Sequence, residues 1–306
     1  MQIGISTRWN AFRHASGETL AAELADLGFT TIELGYDLRP DLVPGIKAAV
    51  HQQALSVVSV HNYCPVPPNV SRGHPELYSL CALDEGERQR AVEYTIRTVR
   101  FAAEMSAGVV VVHGGRIKLP AMTERLAALY ERGLRFQPRY EKYKLSLLEK
   151  RERRAARHLD QLRRSLEEII PVLEEESVTL ALENLPTWES VPTELEMESI
   201  LREFAGRRIA YWHDLGHARV RENLGFISHL RWLERLLPGM VGMHIHDVLP
   251  PIYDHLVPPR GEIPFEQFKN VANTVSRLIM EPAPAASAQD VVAGKQYLEK
   301  VWGGES

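Results

Sequence analysis

The sequence has few cysteines and no long apolar segment. Its 306 residues include two cysteines, Cys64 and Cys81, which form neither a CxxC pair nor a disulfide framework. No run approaches the ~20 apolar residues that a membrane helix needs. The N-terminus, MQIGISTRWN, lacks the basic and apolar regions of a signal peptide. These absences argue against a disulfide-stapled or membrane-spanning protein, and we expect a soluble protein of the reducing cytoplasm.

The chain also lacks a strong excess of charge of either sign. Its net charge is -4 and its sequence pI is about 6.3, which gives no general support for nucleic-acid or membrane binding. Hydrophobic residues make up 44% of the chain, close to the ~45–50% of globular proteins. The composition therefore indicates a globular protein with a sizeable core and no membrane partner.

Short apolar runs alternate with longer amphipathic segments from end to end, which is the pattern of parallel strands joined by crossover helices. Strands are predicted at 2–6, 30–34, 55–60, 108–112, 178–182, 208–212, 240–245 and 276–280. Helices are predicted at 16–27, 40–53, 84–105, 193–204, from strand six to about 237, at 264–274 and at 287–301. A doubly wound open sheet usually has a glycine-rich turn after its first strand, and none follows Ile5. Eight units instead favour a single (β/α)8 TIM barrel over residues 1–306.

One segment breaks this rhythm between the fourth and fifth predicted strands. Residues 113–177 are far more than a single crossover helix needs, and the stretch 116–164 carries fifteen Lys/Arg against six Asp/Glu. We predict a basic helical insertion at about 116–165, formed by two or three helices after His113. It is either a solvated charged hairpin or a basic lid over an anionic substrate, because the loops that follow barrel strands all emerge on the active face.

Histidines and carboxylates stand at the ends of most predicted strands, where a barrel places its chemistry. Successive side chains of a strand point to opposite faces, so one residue at each strand end can aim at the barrel axis. The mixture of imidazole and carboxylate suits zinc or manganese, with iron, cobalt or magnesium as alternatives. The candidates in chain order are Glu33, His61, His113, Glu183, Asp214, His217, His244, His246, His255 and Glu281.

Each candidate also has a purely structural explanation. A single histidine at a strand end is more often hydrogen-bonded than a metal ligand, and Glu33 suits an ion pair as well as a substrate contact. His213 precedes Asp214 and should point away from the barrel axis. We expect the remaining histidines at the surface, namely His14, His51, His74, His158 and His229. The joint pattern, rather than any one residue, predicts a metal site.

Several motifs resemble the xylose isomerase-like barrel superfamily, which includes endonuclease IV and many sugar-phosphate isomerases and epimerases. The resemblance covers nearly the whole chain except the basic insertion. The motifs are IEL at 32–34, HGG at 113–115, LEN at 182–184, HDLGHA at 213–218, HIHD at 244–247, PPRGEIPF at 258–265 and the glutamate at 281.

Two site patterns occur in that superfamily. The ketose epimerase-like pattern implies one metal held by four ligands, of which the two glutamates also move protons at a carbon beside a carbonyl. These ligands match Glu183, Asp214, His244 and Glu281. The endonuclease IV-like pattern adds ligands for a second and a third metal, which match His61, His113, His217 and His255. Its remaining aspartate would fall at Tyr253, and Asp254 is shifted by one residue, so the match to the third metal site is incomplete.

The first hypothesis is a metal-dependent isomerase or epimerase of a sugar, polyol or sugar phosphate, with one to three divalent metals per chain. Glu183 and Glu281 would be catalytic, and a small carbohydrate-like substrate would be the partner. Residues expected to contact the substrate are Glu33, Arg116, His246 and Arg260. Assembly into a homo-oligomer stays open.

Two alternatives belong to other classes. The runner-up is an endonuclease IV-like di- or tri-metal phosphoesterase, since clustered cations activate water and stabilise a leaving oxygen. The confinement of basic charge to one insertion weighs against a nucleic-acid substrate, because a duplex binder should show a broad basic face. A catalytically silent barrel that serves as a scaffold is the third hypothesis, and the intact pair of Glu183 and Glu281 argues against it.

Overall fold

Eight parallel strands close into a barrel, which confirms the predicted TIM-barrel fold. The structure, a computed structural model, describes residues 2–303, so Met1 and residues 304–306 of the predicted domain lie outside the described residues. The strand order around the barrel is β1-β10-β7-β6-β5-β4-β3-β2. The strands are β1 Ile3–Ser6, β2 Thr31–Leu34, β3 Ser56–His61, β4 Val109–Val112, β5 Thr179–Glu183, β6 Ile209–Asp214, β7 Met240–Ile245, β8 Asp247–Leu249, β9 Tyr253–Leu256 and β10 Leu278–Met280.

Helices follow the barrel strands and cover the outside of the barrel. They are α1 Gly17–Asp26, α2 Val43–His51, α3 Glu85–Glu104, α4 Met122–Glu131, α5 Pro138–Glu176, α6 Glu194–Glu203, α7 Leu215–Asn223, α8 His229–Leu236, α9 Lys269–Ala272 and α10 Ala288–Gly303. Polar caps start several of them: Ser16 accepts from the backbone of Thr19 and Asp84 from that of Glu87. Such caps satisfy N–H groups that have no partner inside the helix. Among the described residues, no helix is both long and apolar enough to span a membrane.

The barrel interior is filled by a small apolar cluster that lies below the strand ends. Its members are Val109, Val111, Ala181, Ala210, Trp212 and Ile279. Because side chains alternate along a strand, the residue two positions beyond an interior residue also points inward. Glu183 follows Ala181, Asp214 follows Trp212, and Glu281 follows Ile279 by this step. Strand periodicity therefore directs these three carboxylates to the axis.

Three segments differ from the sequence predictions. The helix predicted after strand six is two helices, α7 and α8, because Gly225 adopts a left-handed φ of 75° just after α7. The loop after β7 contains an antiparallel hairpin, β8 and β9, that was not predicted. The helix predicted at 264–274 consists of a 3-10 turn, Phe265–Phe268, and the single turn of α9.

The basic segment between β4 and β5 forms two helices, α4 and α5. Helix α5 is 39 residues long and continues well past the predicted end of the insertion. Its C-terminal half packs on the barrel through fully buried side chains such as Leu162, Leu166 and Ile169. Helix α5 is thus the crossover helix from β4 to β5, extended at its N-terminus.

Buried charged residues connect this segment to α6 and to the loop before it. Arg151 of α5 is 3% exposed and donates two hydrogen bonds of 2.7 Å to the carboxylate of Glu196. Glu189 accepts from the backbone N–H groups of Met122 and Thr123 at the start of α4, at 2.6 and 2.9 Å. A carboxylate at a helix N-terminus is stabilised by the exposed N–H groups and the helix dipole. Part of the charge in this segment is therefore structural.

The prediction of surface positions for His158 and His229 was wrong. His158 is buried in α5 and its Nδ1 bonds the carbonyl of Cys81 at 2.8 Å. His229 is buried in α8, where its Nε2 lies 2.9 Å from Nε2 of His213. His213 therefore faces the helix layer and not the axis, as strand alternation predicts. Both errors have one cause: a hydrogen-bond partner in another element offsets the free-energy cost of burying a histidine.

Candidate metal centre

Four side chains converge at the carboxyl ends of β5, β6, β7 and β10. Nδ1 of His244 lies 3.1 Å from Oε1 of Glu183, 3.8 Å from Oδ2 of Asp214 and 3.7 Å from Oε2 of Glu281. All four residues are at most 4% exposed. Ligands that share a cation at about 2.1 Å lie roughly 3 to 3.5 Å apart. The four groups can therefore meet a single cation with small adjustments, and we call them the primary cluster.

Glu33 lies behind His244 and fixes the orientation of its ring. The carboxylate of Glu33 is fully buried, 3.0 and 3.1 Å from Nε2 of His244, and it accepts a 2.9 Å hydrogen bond from Ser59. A carboxylate can only accept, so Nε2 carries a proton, and Nδ1 is the nitrogen that could turn a lone pair to a cation in the primary cluster. Metal-bound histidines typically show this outer carboxylate. The structure thus places Glu33 behind a candidate ligand and not at the expected substrate contact.

Two further histidines face the other oxygen of Glu183. Nε2 of His61 and Nε2 of His113 each lie 3.2 Å from Oε2 of Glu183. Nδ1 of His61 lies 3.0 Å from the carbonyl of Asn62, which requires a proton on Nδ1, so Nε2 is the nitrogen that could bind a cation. The Glu183 carboxylate thus has one oxygen in the primary cluster and one in a second cluster of His61, His113 and Glu183.

The third group, His217, His246 and His255, is less suited to a metal. Nδ1 of His217 and Nδ1 of His255 each donate to a backbone carbonyl, so their Nε2 atoms are free. His246 accepts the backbone N–H of His255 at Nδ1, so its Nε2 donates to Asp214 at 3.0 Å. Tyr253 is 55% exposed, and its hydroxyl bonds Glu131 of α4. His246 therefore orients Asp214 from behind, and Tyr253 adds no ligand to this group.

The electrostatics of the site keep both glutamates ionised. Burial alone would raise the pKa of Glu183, but His244, His113 and His61 hold that pKa well below its ordinary value. Burial also opposes ionisation of Glu281, and His244 and Arg8 lower its pKa. For His244 the balance is reversed: burial lowers its pKa, but the surrounding glutamates raise it well above the ordinary value. So many buried carboxylates are costly to desolvate without a cation, and this donor set fits a divalent metal.

Sequence comparison assigns the chain to a family. Residues 21–290 match the profile of the xylose isomerase-like TIM barrel. The chain belongs to this family. No curated protein matches the sequence.

Solved structures with a similar fold include sugar epimerases. A D-tagatose 3-epimerase-like protein is 20% identical, with 98% of this chain and 97% of that chain covered and a TM-score of 0.69. The 3-keto-D-glucoside 4-epimerase of E. coli is 16% identical, with 98% and 99% covered and a TM-score of 0.70. A D-psicose 3-epimerase of Clostridium cellulolyticum H10, solved with D-tagatose, is 13% identical, with 99% of each chain covered and a TM-score of 0.68. At these identities the similarity establishes the fold alone.

Two residues at the site of this xylose isomerase-like barrel were missed by sequence reasoning. Arg8 follows β1, is 18% exposed at its side chain, donates to the hydroxyl of Tyr36 and lies 3.9 Å from Glu281. Asn184 exchanges hydrogen bonds with the backbone of Asp214 at 2.8 and 2.9 Å, and its carbonyl bonds His217. The sequence signal that could have identified them is their position within two residues of a strand end. The search for imidazole and carboxylate ligands passed over both.

The two arginines expected at the substrate lie in different settings. Arg260 is exposed and bonds Asp290 of α10 at 2.5 Å, outside the clusters described above. Arg116 is 39% exposed and lies 3.8 Å from Glu76, whose other oxygen is 3.9 Å from Nδ1 of His113. Arg116 therefore lies at the edge of the second cluster, whereas Arg260 is engaged elsewhere.

Replacing Gly216 by alanine should weaken metal binding. A Cβ at Gly216, in the first turn of α7, would lie 1.9 Å from Cε1 of the buried His246 ring. His246 would have to move, and Asp214 would lose its partner. We expect about 10- to 100-fold lower metal affinity, as for other losses of an outer partner, measured by titrating metal-free protein with Mn²⁺.

The matched control is Gly86→Ala, in the first turn of α3. There a Cβ would lie 3.4 Å from the Asp84 carboxylate, at ordinary contact distance. This variant should keep its metal affinity and its stability, since alanine favours helix. Unchanged metal affinity in Gly216→Ala would contradict the proposed role of His246.

Proposed function

We propose that the chain is a metal-dependent isomerase or epimerase that moves a proton on a sugar or polyol beside a carbonyl. The observation that carries this proposal is the primary cluster, in which two ionised glutamates flank one histidine nitrogen. Glu183 and Glu281 belong to β5 and to the end of β10, which lie on either side of β6 and β7 in the barrel. The glutamates therefore approach the space above the cluster from different sides.

This arrangement suits proton transfer. A divalent cation held by Glu183, Asp214, His244 and Glu281 would polarise the substrate carbonyl and make the neighbouring C–H acidic. One glutamate would take the proton from that carbon, and the other would return a proton, to the opposite face for epimerisation. The glutamate that takes the proton must be ionised, which the lowered pKa values support. The glutamate that returns a proton would first take one up from water, and the first glutamate would release its proton to water at the end of the turnover.

Other residues would bind and orient the substrate. Arg8 reaches the edge of the primary cluster, and its guanidinium can donate to a substrate oxygen. Nε2 of His217 is free because Nδ1 donates to the carbonyl of Asn184. These groups would hold hydroxyls next to the reacting carbon, which is the positioning that intramolecular reactivity requires.

A second candidate function, phosphoester hydrolysis, is favoured by one observation. His61 and His113 present imidazole nitrogens to the second oxygen of Glu183, so these three residues would hold a second cation if one binds. Two-metal sites suit hydrolysis of phosphoesters, since one cation activates water and the other stabilises the leaving oxygen. Two bound metals per chain, counted by plasma mass spectrometry, would favour this function, and one would disfavour it.

Deuterium exchange tests the proposed function without knowledge of the natural substrate. The Mn²⁺-loaded protein is incubated in D₂O with free ketoses such as D-fructose, D-tagatose and L-ribulose, and the sugars are examined by NMR. We expect deuterium at a carbon beside the carbonyl, and conversion to the epimer or aldose. Absence of exchange for every ketose, with hydrolysis of bis(4-nitrophenyl) phosphate, would replace this proposal by the phosphoesterase.

A further inference from the structure

A large cavity opens beside the clusters of candidate metal ligands. Its volume is about 670 Å³, within the ~300–1,000 Å³ of small-molecule sites. It is bounded by loops that follow β1, β2, β3 and β10, and its lining includes no residue of the candidate metal groups. We call it the side cavity. Its lining residues include Phe12, Asp37, Val66, Pro67, Arg72 and Pro284.

The side cavity adjoins the clusters through two consecutive residues after β2. The ring of Tyr36 packs edge-on against the ring of His61, with 5.1 Å between centroids, and its hydroxyl accepts from Arg8. The next residue, Asp37, lines the cavity. A molecule bound at the primary cluster would have to extend past Tyr36 to reach the side cavity.

Part of the wall of the side cavity is apolar and includes an exposed aromatic side chain. Phe12 is 58% exposed, although large apolar side chains are usually buried. Another part of the wall is formed by residues 66–68, of which two are prolines whose rings restrict the backbone. Apolar walls with an accessible aromatic face suit the C–H face of a sugar ring, which stacks on aromatic side chains.

The polar groups of the side cavity fit a neutral, hydroxyl-rich ligand better than an anion. Among the described residues, no side chain donates a hydrogen bond to the carboxylate of Asp37, and its Oδ1 is buried without a partner. A carboxylate accepts hydrogen bonds from hydroxyls and repels phosphates. Arg39 is paired with Asp41 at 3.0 Å, and the other charged residues of the lining are Arg72 and Asp37, one of each sign. The lining therefore has no excess of positive charge.

We propose that the side cavity binds a second sugar ring, so that the preferred substrate is a keto sugar carrying a glycosyl group rather than a free monosaccharide. This inference rests on the proposed function, because it assigns the reacting carbonyl to the primary cluster. Contacts to the remote ring would supply binding energy that positions the reacting carbon. A phosphorylated ketose would fit the charge of the side cavity less well.

Keto disaccharides with a free carbonyl test this inference. Deuterium exchange is measured for isomaltulose and lactulose, which carry a second ring at different positions of fructose, and for D-fructose. Binding of the same sugars to Mn²⁺-loaded protein is measured by calorimetry. We expect kcat/KM for exchange, and affinity, to be about tenfold higher for at least one disaccharide, as ring stacking on an aromatic side chain allows.

Phe12→Ala should remove most of this advantage and leave exchange of D-fructose unchanged. Leu145→Ala is the matched control, because Leu145 is a similarly exposed apolar residue on α5, 56% exposed and outside the side cavity. Equal kcat/KM and equal affinity for D-fructose and both disaccharides would overturn the inference. So would an equal loss for all sugars in Phe12→Ala.

The two proposals fail in different ways. Exchange without a preference for disaccharides removes the glycosyl site and leaves the isomerase. If no sugar exchanges but calorimetry shows tighter, Phe12-dependent binding of a disaccharide, the isomerase falls and the side cavity stands as a sugar site. If calorimetry shows neither preference nor dependence on Phe12, the side cavity proposal is wrong.

Discussion

Replacing Glu183 by glutamine should remove metal binding and lower the rate of deuterium exchange about 10²- to 10⁴-fold, the usual contribution of a positioned proton-transfer group. The physical reason is that both oxygens of this carboxylate are engaged. Oε1 lies 3.1 Å from Nδ1 of His244, and Oε2 lies 3.2 Å from Nε2 of both His61 and His113. Glutamine keeps the shape but loses the charge and one acceptor oxygen.

Thermal unfolding gives a readout that is independent of substrate. A cation that binds only the folded chain stabilises it by about 2.7 kcal/mol when its concentration is a hundred times Kd. Mn²⁺ should therefore raise the Tm of the unmodified protein, and this rise should vanish in Glu183→Gln. The control is Glu203→Gln, an exposed carboxylate of α6 that pairs with Arg163, where the rise should remain. A full Mn²⁺-dependent rise in Glu183→Gln would exclude Glu183 as a ligand.

Glu281→Gln is the informative companion to this variant. Oε2 of Glu281 lies 3.7 Å from Nδ1 of His244 in the primary cluster. His61 and His113 of the second cluster face Glu183 and not Glu281. If the second cluster holds its own cation, Glu281→Gln should retain one metal per chain, whereas Glu183→Gln should retain none. Equal metal content in the two variants would show that the second cluster binds no cation of its own.

Glu33→Gln should weaken metal affinity about 10- to 100-fold, although Glu33 lies behind the candidate ligand. Outer carboxylates that bond a metal-bound histidine typically contribute this much. The carboxylate of Glu33 holds the proton on Nε2 of His244 and so turns Nδ1 to the cation. Glutamine can donate as well as accept, so it weakens this control of the ring. The measurement is the Mn²⁺ dissociation constant, by calorimetry on metal-free protein.

Ser59→Ala should weaken metal affinity by the same route but to a smaller extent. Ser59 donates to Oε2 of Glu33 at 2.9 Å and belongs to none of the candidate metal groups. We expect a smaller loss of metal affinity than in Glu33→Gln, because the carboxylate and its charge remain. If Glu33→Gln binds Mn²⁺ as tightly as the unmodified protein, Glu33 has no positioning role. Excess Mn²⁺ should restore exchange in Glu33→Gln, since both proton-moving glutamates are intact.

Several features followed from the sequence because they depend on local periodicity. The barrel strands and the long helix α3 were recognisable from apolar runs and amphipathic spacing. The convergence of Glu183, Asp214 and Glu281 was also predictable, because each follows an interior strand residue by two positions. The closed parallel topology then brings all strand ends to one face.

Only the tertiary structure decided what each side chain does at that face. Nothing local shows that Glu33 stands behind His244, that His246 orients Asp214, or that Asn184 fixes the strand end. These contacts join residues far apart in sequence, for example Glu33 and His244, which are 211 positions apart. The same holds for His158 and His229, whose burial depends on partners in other elements. Periodicity sets the direction of a side chain, whereas its hydrogen-bond partner and its protonation depend on which strands and loops the closed barrel brings beside it.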